Sequence, residues 1–597
     1  MKASLFWGSY FLLFLGITSL NGQTYLDYIG AGHNEGITVT SSSSNNSDSL
    51  STINGHGVMV DTFGASRFLA QATLGANYAE IHRTANIGVT AWLEEQFVMP
   101  MDSVQAIHDS LKQIYVDSAF LHEGVQRVLA PATFKQFAWW QTVMNSNSQL
   151  RHRMAVALSE IFVVSDVSDL VLFPRAFANY YDMLQDNAFG NFKDLLIDVS
   201  LHPVMGFYLT HINNPKSDPS INRFPDENYA RECMQLFTIG LYELNNDGSR
   251  KTDANGNWIP TFDNTDITEL AKVFTGLSFG DNRPFGASLD YALADYYQPM
   301  KMYESQHEQG QKVILKNTTI PNGQTGMQDV EDALEVLFNH PNTGPFFGNF
   351  LIQRLVKSNP SPAYVSRVAD AFNDNGLGVR GDMKAIIKAI LLDPEARDCG
   401  FRDDVKHGML KEPIIRYVQM MRIFNAISPN GSYHNLTQDF NRLVGQRVLS
   451  SPSVFNFFQS DYQPLGVLRE NNLVAPEFQL VNSNSVINFH NEAAFTWWAR
   501  KNPMIEESLY KNGPHAAADR TNGDVKLNYS EEVALMNDTD ALLARLDLLL
   551  THGDMSQNTK DIIADALTSI GGSQSDERKL FVAIEIIMAS PEYNILR

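Results

Sequence analysis

The chain has 597 residues, and 67 acidic against 45 basic side chains give a formal charge of −22 near neutral pH. That acidic excess argues against a nucleic-acid binder, which needs a basic face to displace counterions, and against a polybasic membrane-surface protein. Hydrophobic residues at 44% allow a large core, while two cysteines, Cys233 and Cys399, are too few for a disulfide scaffold or a cysteine-rich zinc module. In chain order, Lys2 followed by the apolar run Leu5 to Leu20 and the small Gly22 reads as a secretory signal peptide over residues 1–22. No later segment is long and apolar enough to span a bilayer, so no transmembrane segment is expected in the mature chain. Residues 23–60, rich in Ser and Asn, read as a polar linker or arm.

From Asp61 to Arg597 helical spacing dominates, and the expectation is one large, mainly α domain. Met154, Leu158, Ile161 and Phe162 form one stripe; Leu195, Leu196 and Val199 form another. The stretches Tyr364 to Phe372, Met383 to Leu392, Leu542 to Leu550 and Lys579 to Met588 have the same character. The best strand signal is Leu241 to Phe262, where Asn-Asp-Gly and Asn-Gly turns predict one or two small β-hairpins. Gly376, Gly378 and Gly381 match a dinucleotide fingerprint letter for letter. A helical stretch precedes them where a strand is required, so they are expected to close a helix and open a turn. Asp253, Asn255 and Asn257 alternate like the start of a calcium loop, but Trp258 stands where an EF-hand needs glycine, so a turn is the better reading.

Candidate chemistry centres on His202 to Leu241. Pro225, Asp226 and Glu227 open a helix, as proline and acids do in a first turn. Glu227 and Arg231 are spaced i,i+4, and so are Asn228 and Glu232. The simplest reading is an intrahelical ion pair worth a few tenths of a kcal/mol. The functional reading is a polar cluster of Glu227, Asn228, Arg231 and Glu232 beside His211, Asn213 and Asn214. Carboxylates held ionised by arginine there bind a divalent cation or act as general base. His307, with Glu308 and Lys312, is a second candidate ligand or proton shuttle. Cys233 falls on an apolar helical position and is expected to be a buried thiol, with a bond to Cys399 as the alternative.

Several segments together resemble the bacterial domain-of-unknown-function 1800 family. Ser66 to Gly75 (SRFLAQATLG) is similar to its opening. Leu150 to Phe162 (LRHRMAVALSEIF) resembles its second helix signature, and Asp226 to Gly240 (DENYARECMQLFTIG) its most distinctive stretch, with Asp226 and Cys233 departing from the usual letters. Asp266 to Ala271, Phe274 to Gly276, His307 and Lys312 continue the order. Pro452 to Phe458, Ala475 to Phe478 and Ser590 to Tyr593 resemble its C-terminal marks. The resemblance implies one continuous domain and an exported location: periplasm, cell surface or exterior. It implies as partner an exported protein of the domain-of-unknown-function 1501 family, and it carries over no activity or catalytic residue. The expectation is therefore an exported binding or assembly component. The alternative is a secreted hydrolase using acidic residues or a divalent cation around Glu227 and Glu232, with Arg231 and His307 in the same site.

Overall fold

The structure is a computed structural model. It describes residues 37–39, 58–123, 134–281, 283–287, 296–315, 318–398, 400, 404, 406–427, 433, 445–494, 527–570 and 574–597. Its described residues are mainly α-helical, as the period of the apolar residues requires. The helix starts are fixed locally. Asp61 accepts a hydrogen bond from Gly64 N at 2.7 Å, and Asn191 accepts one from Lys193 N at 2.9 Å. Asp263 and Asp266 form a reciprocal capping box, and proline opens the Pro174–Asn187, Pro362–Asn373 and Pro413–Ile423 helices.

Consecutive helices pack against one another. Thr343–Leu355 lies on Pro362–Asn373, which lies on Met383–Leu391, and Val104–Glu123 lies on Phe134–Asn145 and Pro174–Asn187. One continuous cluster of buried apolar side chains runs from Ala65 to Tyr593. At its heart is the Gln149–Ser159 helix, buried at every position except Arg151. Met154, Leu158 and Phe162 are fully enclosed, as the stripe predicts. The same total burial draws Arg153 into the core together with Glu160, the residue that ends the helix.

Strand structure is minor. The Leu241 to Phe262 stretch folds back on itself twice, through bridges Tyr242–Pro260, Leu244–Arg250 and Thr252–Trp258. Asp253 spends its carboxylate on the backbone N–H groups of Asn255 and Asn257, so this segment is a turn. Gly376, Gly378 and Gly381 all have positive φ in the link between two helices, the role expected of them. Three antiparallel pairs had no clear sequence signal: Leu277–Ser278 with Lys301–Met302, Lys312–Ile314 with Thr318–Ile320, and Met409–Leu410 with Ile595–Leu596. Each is two or three residues a side, too short for an alternating pattern. A fourth pair, Ile37–Val39 with Val58–Val60, lies in the stretch read as an unstructured arm. β-Branched residues make up most of both triplets, which suits them to pairing. Residues 1–22 lie outside the described residues, as does Cys399; Cys233 is a free, fully buried thiol that burial pushes up to about 12.

Candidate functional site

The segment that carried the sequence candidates is an α-helical turn, Asn228–Glu232, running into a π-helical turn, Cys233–Thr238. Glu227 and Arg231 approach to 3.7 Å with side chains 43% and 42% exposed. Glu227 also accepts a hydrogen bond from Thr268 Oγ1 at 2.9 Å. Glu232 points inward, and its Oε2 is buried without a hydrogen-bond partner among the described residues. Burial pushes Glu232 above the ordinary carboxylate range, and Arg231 opposes that. His211 stacks on Tyr229 at 3.8 Å and meets the Ser200 carbonyl at 2.9 Å; burial lowers it to about 4, so it is neutral. Asn213 accepts from Ser278 and Gly286, and Asn214 brackets the Asp226 backbone. These three residues tie the loop to the body.

His307 belongs to a different group. It is buried with Lys312 and Asp329. Its Nδ1 donates to the Thr275 carbonyl at 2.9 Å. Nε2 lies 3.2 Å from Lys312 Nζ and 3.0 Å from Asp329 Oδ2, and Lys312 also donates to Asp329. Lys312, His307 and Asp329 thus contact one another in a sealed triad. Among the described residues no group of three or more His, Cys, Asp or Glu side chains is placed to hold a metal ion.

A cavity of about 620 Å³ is lined by none of Glu227, Arg231, Glu232 and His307. Gln235 and Leu236, from the π-helical turn, form one wall. Gly240 follows with φ +69°, and a Cβ there would stand 2.6 Å from the Phe346 ring, so only glycine lets the two walls approach this closely. The Thr343–Leu355 helix presents Phe346, Asn349, Phe350, Gln353 and Arg354, spaced i, i+3, i+4, i+7 and i+8 on one face. Phe455 and Phe458 close the opposite side, and Glu160 sits on the floor.

The floor opens onto a buried cluster of charged groups. Arg354 Nε is 2.9 Å from Glu160 Oε2, and its guanidinium lies 4.6 Å from the centre of the Phe458 ring. Arg153 donates to the Arg354 carbonyl, and Gln446 donates to Glu412 and reaches Glu160 at 3.5 Å. Glu160, Arg153, Arg354, Glu412 and Glu477 are all nearly inaccessible to solvent. Polar capacity is nonetheless left over. Arg354 Nε and Nη1, Glu160 Oε2 and Gln353 Oε1 are buried without hydrogen-bond partners among the described residues. Such groups usually mark a place where a ligand or water completes the network.

Burial, then the neighbouring Glu412, pushes Glu160 well above the ordinary carboxylate range, more than Arg354 and Arg153 pull it down. Burial likewise raises Glu477 to about 8. Both shifts favour the neutral acid. Burial lowers Arg153 against the attraction of Glu412, Glu160 and Glu477. Two guanidiniums therefore face three carboxyls, of which Glu160 and Glu477 are shifted towards their neutral forms. Protonated carboxyls beside arginine in a cleft are the perturbed groups expected at functional sites.

Sequence reasoning missed this site, although its parts lie in segments already singled out. Leu150 to Phe162 supplies Arg153 and Glu160, Pro452 to Phe458 supplies Phe455 and Phe458, and Ala475 to Phe478 supplies Glu477. The available signal was Arg153 and Glu160, spaced i,i+7 with mostly apolar residues between them, where charged residues are seldom buried unless paired.

The fold and the cavity define a mainly helical protein with a charged, buried cavity floor. A family described as "Protein of unknown function (DUF1800)" matches residues 67–595, nearly the whole chain, and the chain belongs to it. No curated protein and no solved structure matches.

Proposed function

We propose that the protein is an exported binding component whose cavity takes a small polar ligand. One observation carries this reading: Gln353 Oε1 and Arg354 Nη1 are buried polar atoms without hydrogen-bond partners among the described residues, on two residues that line a cavity of about 620 Å³. Aromatic walls with a few convergent polar groups are the usual make-up of a small-molecule site. Export rests on the signal-like first 22 residues, and sequencing the native N-terminus tests it: a start near residue 23 supports export, whereas retention of Met1 overturns it. Assembly with an exported partner of the 1501 family is part of the same proposal. The exposed Ile221 and Phe224, just before Glu227 and Arg231, support a docking face there.

The binding reading is tested by thermal melts of the purified mature chain against a library of sugars, sugar acids, amino acids and dipeptides. Compounds that stabilise the wild type, but not Asn349→Trp, which fills the cavity, bind where proposed. A library with no such compound overturns the reading. A hydrolytic use of the same cavity has one observation in its favour: Glu160, held towards its neutral form at the floor, is equipped to donate a proton. Glu160→Gln would then bind a cavity ligand and fail to cleave it.

A further inference from the structure

We infer that the cavity selects ligands carrying a carboxylate, which Arg354 engages from the floor while the amide side chains and aromatic walls hold a polar body. This inference rests on the proposal that the cavity is a binding site, and adds the chemical class of its ligand. Arg354 is buried to 3% exposure and lines the cavity, and its Nε and Nη1 have no hydrogen-bond partner among the described residues. Glu160, 2.9 Å away, is not aligned to accept from Nε, and Glu477 acts on Arg354 through charge. A guanidinium offers its N–H groups in a planar fork that matches a carboxylate, and such paired contacts are about twice as strong as neutral ones. The Phe458 ring against the guanidinium fixes the plane of that fork.

The remaining lining favours an organic acid over a bare inorganic anion. Gln235, Asn349 and Gln353 offer both donors and acceptors above the floor, which suits hydroxyl or amide groups. Gln353 Nε2 is occupied by the carbonyls of Ser358 and Ser460, which leaves its Oε1 to accept from a ligand donor. Phe346, Phe350 and Phe455 cover the flanks. The charge balance of the buried cluster points the same way. With Glu160 and Glu477 inclined to stay protonated, a ligand carboxylate supplies Arg354 with a fully charged partner.

Two matched pairs test this by titration calorimetry on the mature wild-type chain: galacturonate against galactose, and glycyl-phenylalanine against its C-terminal amide. At least one acid is expected to bind, with its neutral partner roughly tenfold or more weaker, the size expected for hydrogen bonds to a charged group. Arg354→Gln should erase that preference. Wild type alone decides the matter if this variant does not fold. The galacturonate arm reports a sugar-acid body and the dipeptide arm a peptide C-terminus, and binding of either acid supports the inference. Neutral compounds that bind as tightly as the acids, and are blocked by Asn349→Trp, overturn the carboxylate selection while leaving the binding reading intact. Binding by none of the four, with no library compound stabilising the chain, overturns both.

Discussion

At the scale of single residues, this protein keeps two kinds of charge, and they differ by environment. Arg231 and Glu227 share an exposed pair at 3.7 Å, so Arg231→Ala should cost under about 1 kcal/mol. Lys312 is sealed against Asp329 and His307, so Lys312→Met leaves a buried carboxylate without its cation. That should cost about 3–5 kcal/mol, the usual result of breaking a buried pair from one side. Urea denaturation of the two variants measures both, and equal losses would contradict the burial contrast. Glu477 gives a prediction in pH. Its folded value is near 8 against an ordinary 4.5, so the folded state holds the proton more tightly. The stability it contributes is full below pH 4.5 and is lost as pH rises towards 8. Glu477→Gln removes the titration. The variant should therefore gain on wild type by up to about 1.4 kcal/mol per pH unit across that interval, with little change outside it. A pH-independent difference between the two melts would remove the assignment.

At the scale of elements, two walls of the cavity approach more closely than side chains normally allow. Gly240 follows the π-helical turn with φ +69° and meets the Phe346 ring on the next wall. Gly240→Ala adds two costs. One is the left-handed backbone, about 1–2 kcal/mol for a residue with a Cβ. The other is the clash with the ring. Phe346→Ala in the same chain removes the second cost and leaves the first. Chemical denaturation of the two single variants and the double should accordingly show non-additivity. Strict additivity would mean that the ring and the glycine do not meet. The helix opposite shows how the site is presented. Its cavity face alternates aromatic and polar residues from Phe346 to Arg354, while Phe347, Leu351 and Leu355 turn into the core. One amphipathic stretch thus serves packing and binding on different faces.

At the scale of the molecule, the end of the chain is stitched back into the body. Ile595–Leu596 pairs with Met409–Leu410, and Leu596 packs with Ala70 and Met409. Removing residues 595–597 exposes this seam. It should cost at least about 2 kcal/mol, since burying one leucine is worth about 1.5–3 kcal/mol and the strand hydrogen bonds go with it. A truncated chain with an unchanged urea midpoint would show that the closure adds nothing.

By itself the sequence determined what short-range physics controls. The helical body followed from the period of its apolar residues, and the turns at Asp253 and Gly376 from local side-chain and φ preferences; the helix read as opening at Pro225 starts instead at Asn228, with Glu227 as its cap. The exposed Glu227–Arg231 pair could be read because both partners sit on one turn of helix. The His307, Lys312 and Asp329 triad was half visible, since Asp329 arrives from the next helix. The cavity floor was decided by the tertiary structure alone. Arg153 meets the carbonyl of Arg354 across 201 positions, and Gln446 reaches Glu160 across 286. No local pattern records such distant partners. A charge in an apolar helix shows that a partner must exist, because an unpaired buried charge is too costly, but only the packing of the whole chain selects which residue it is.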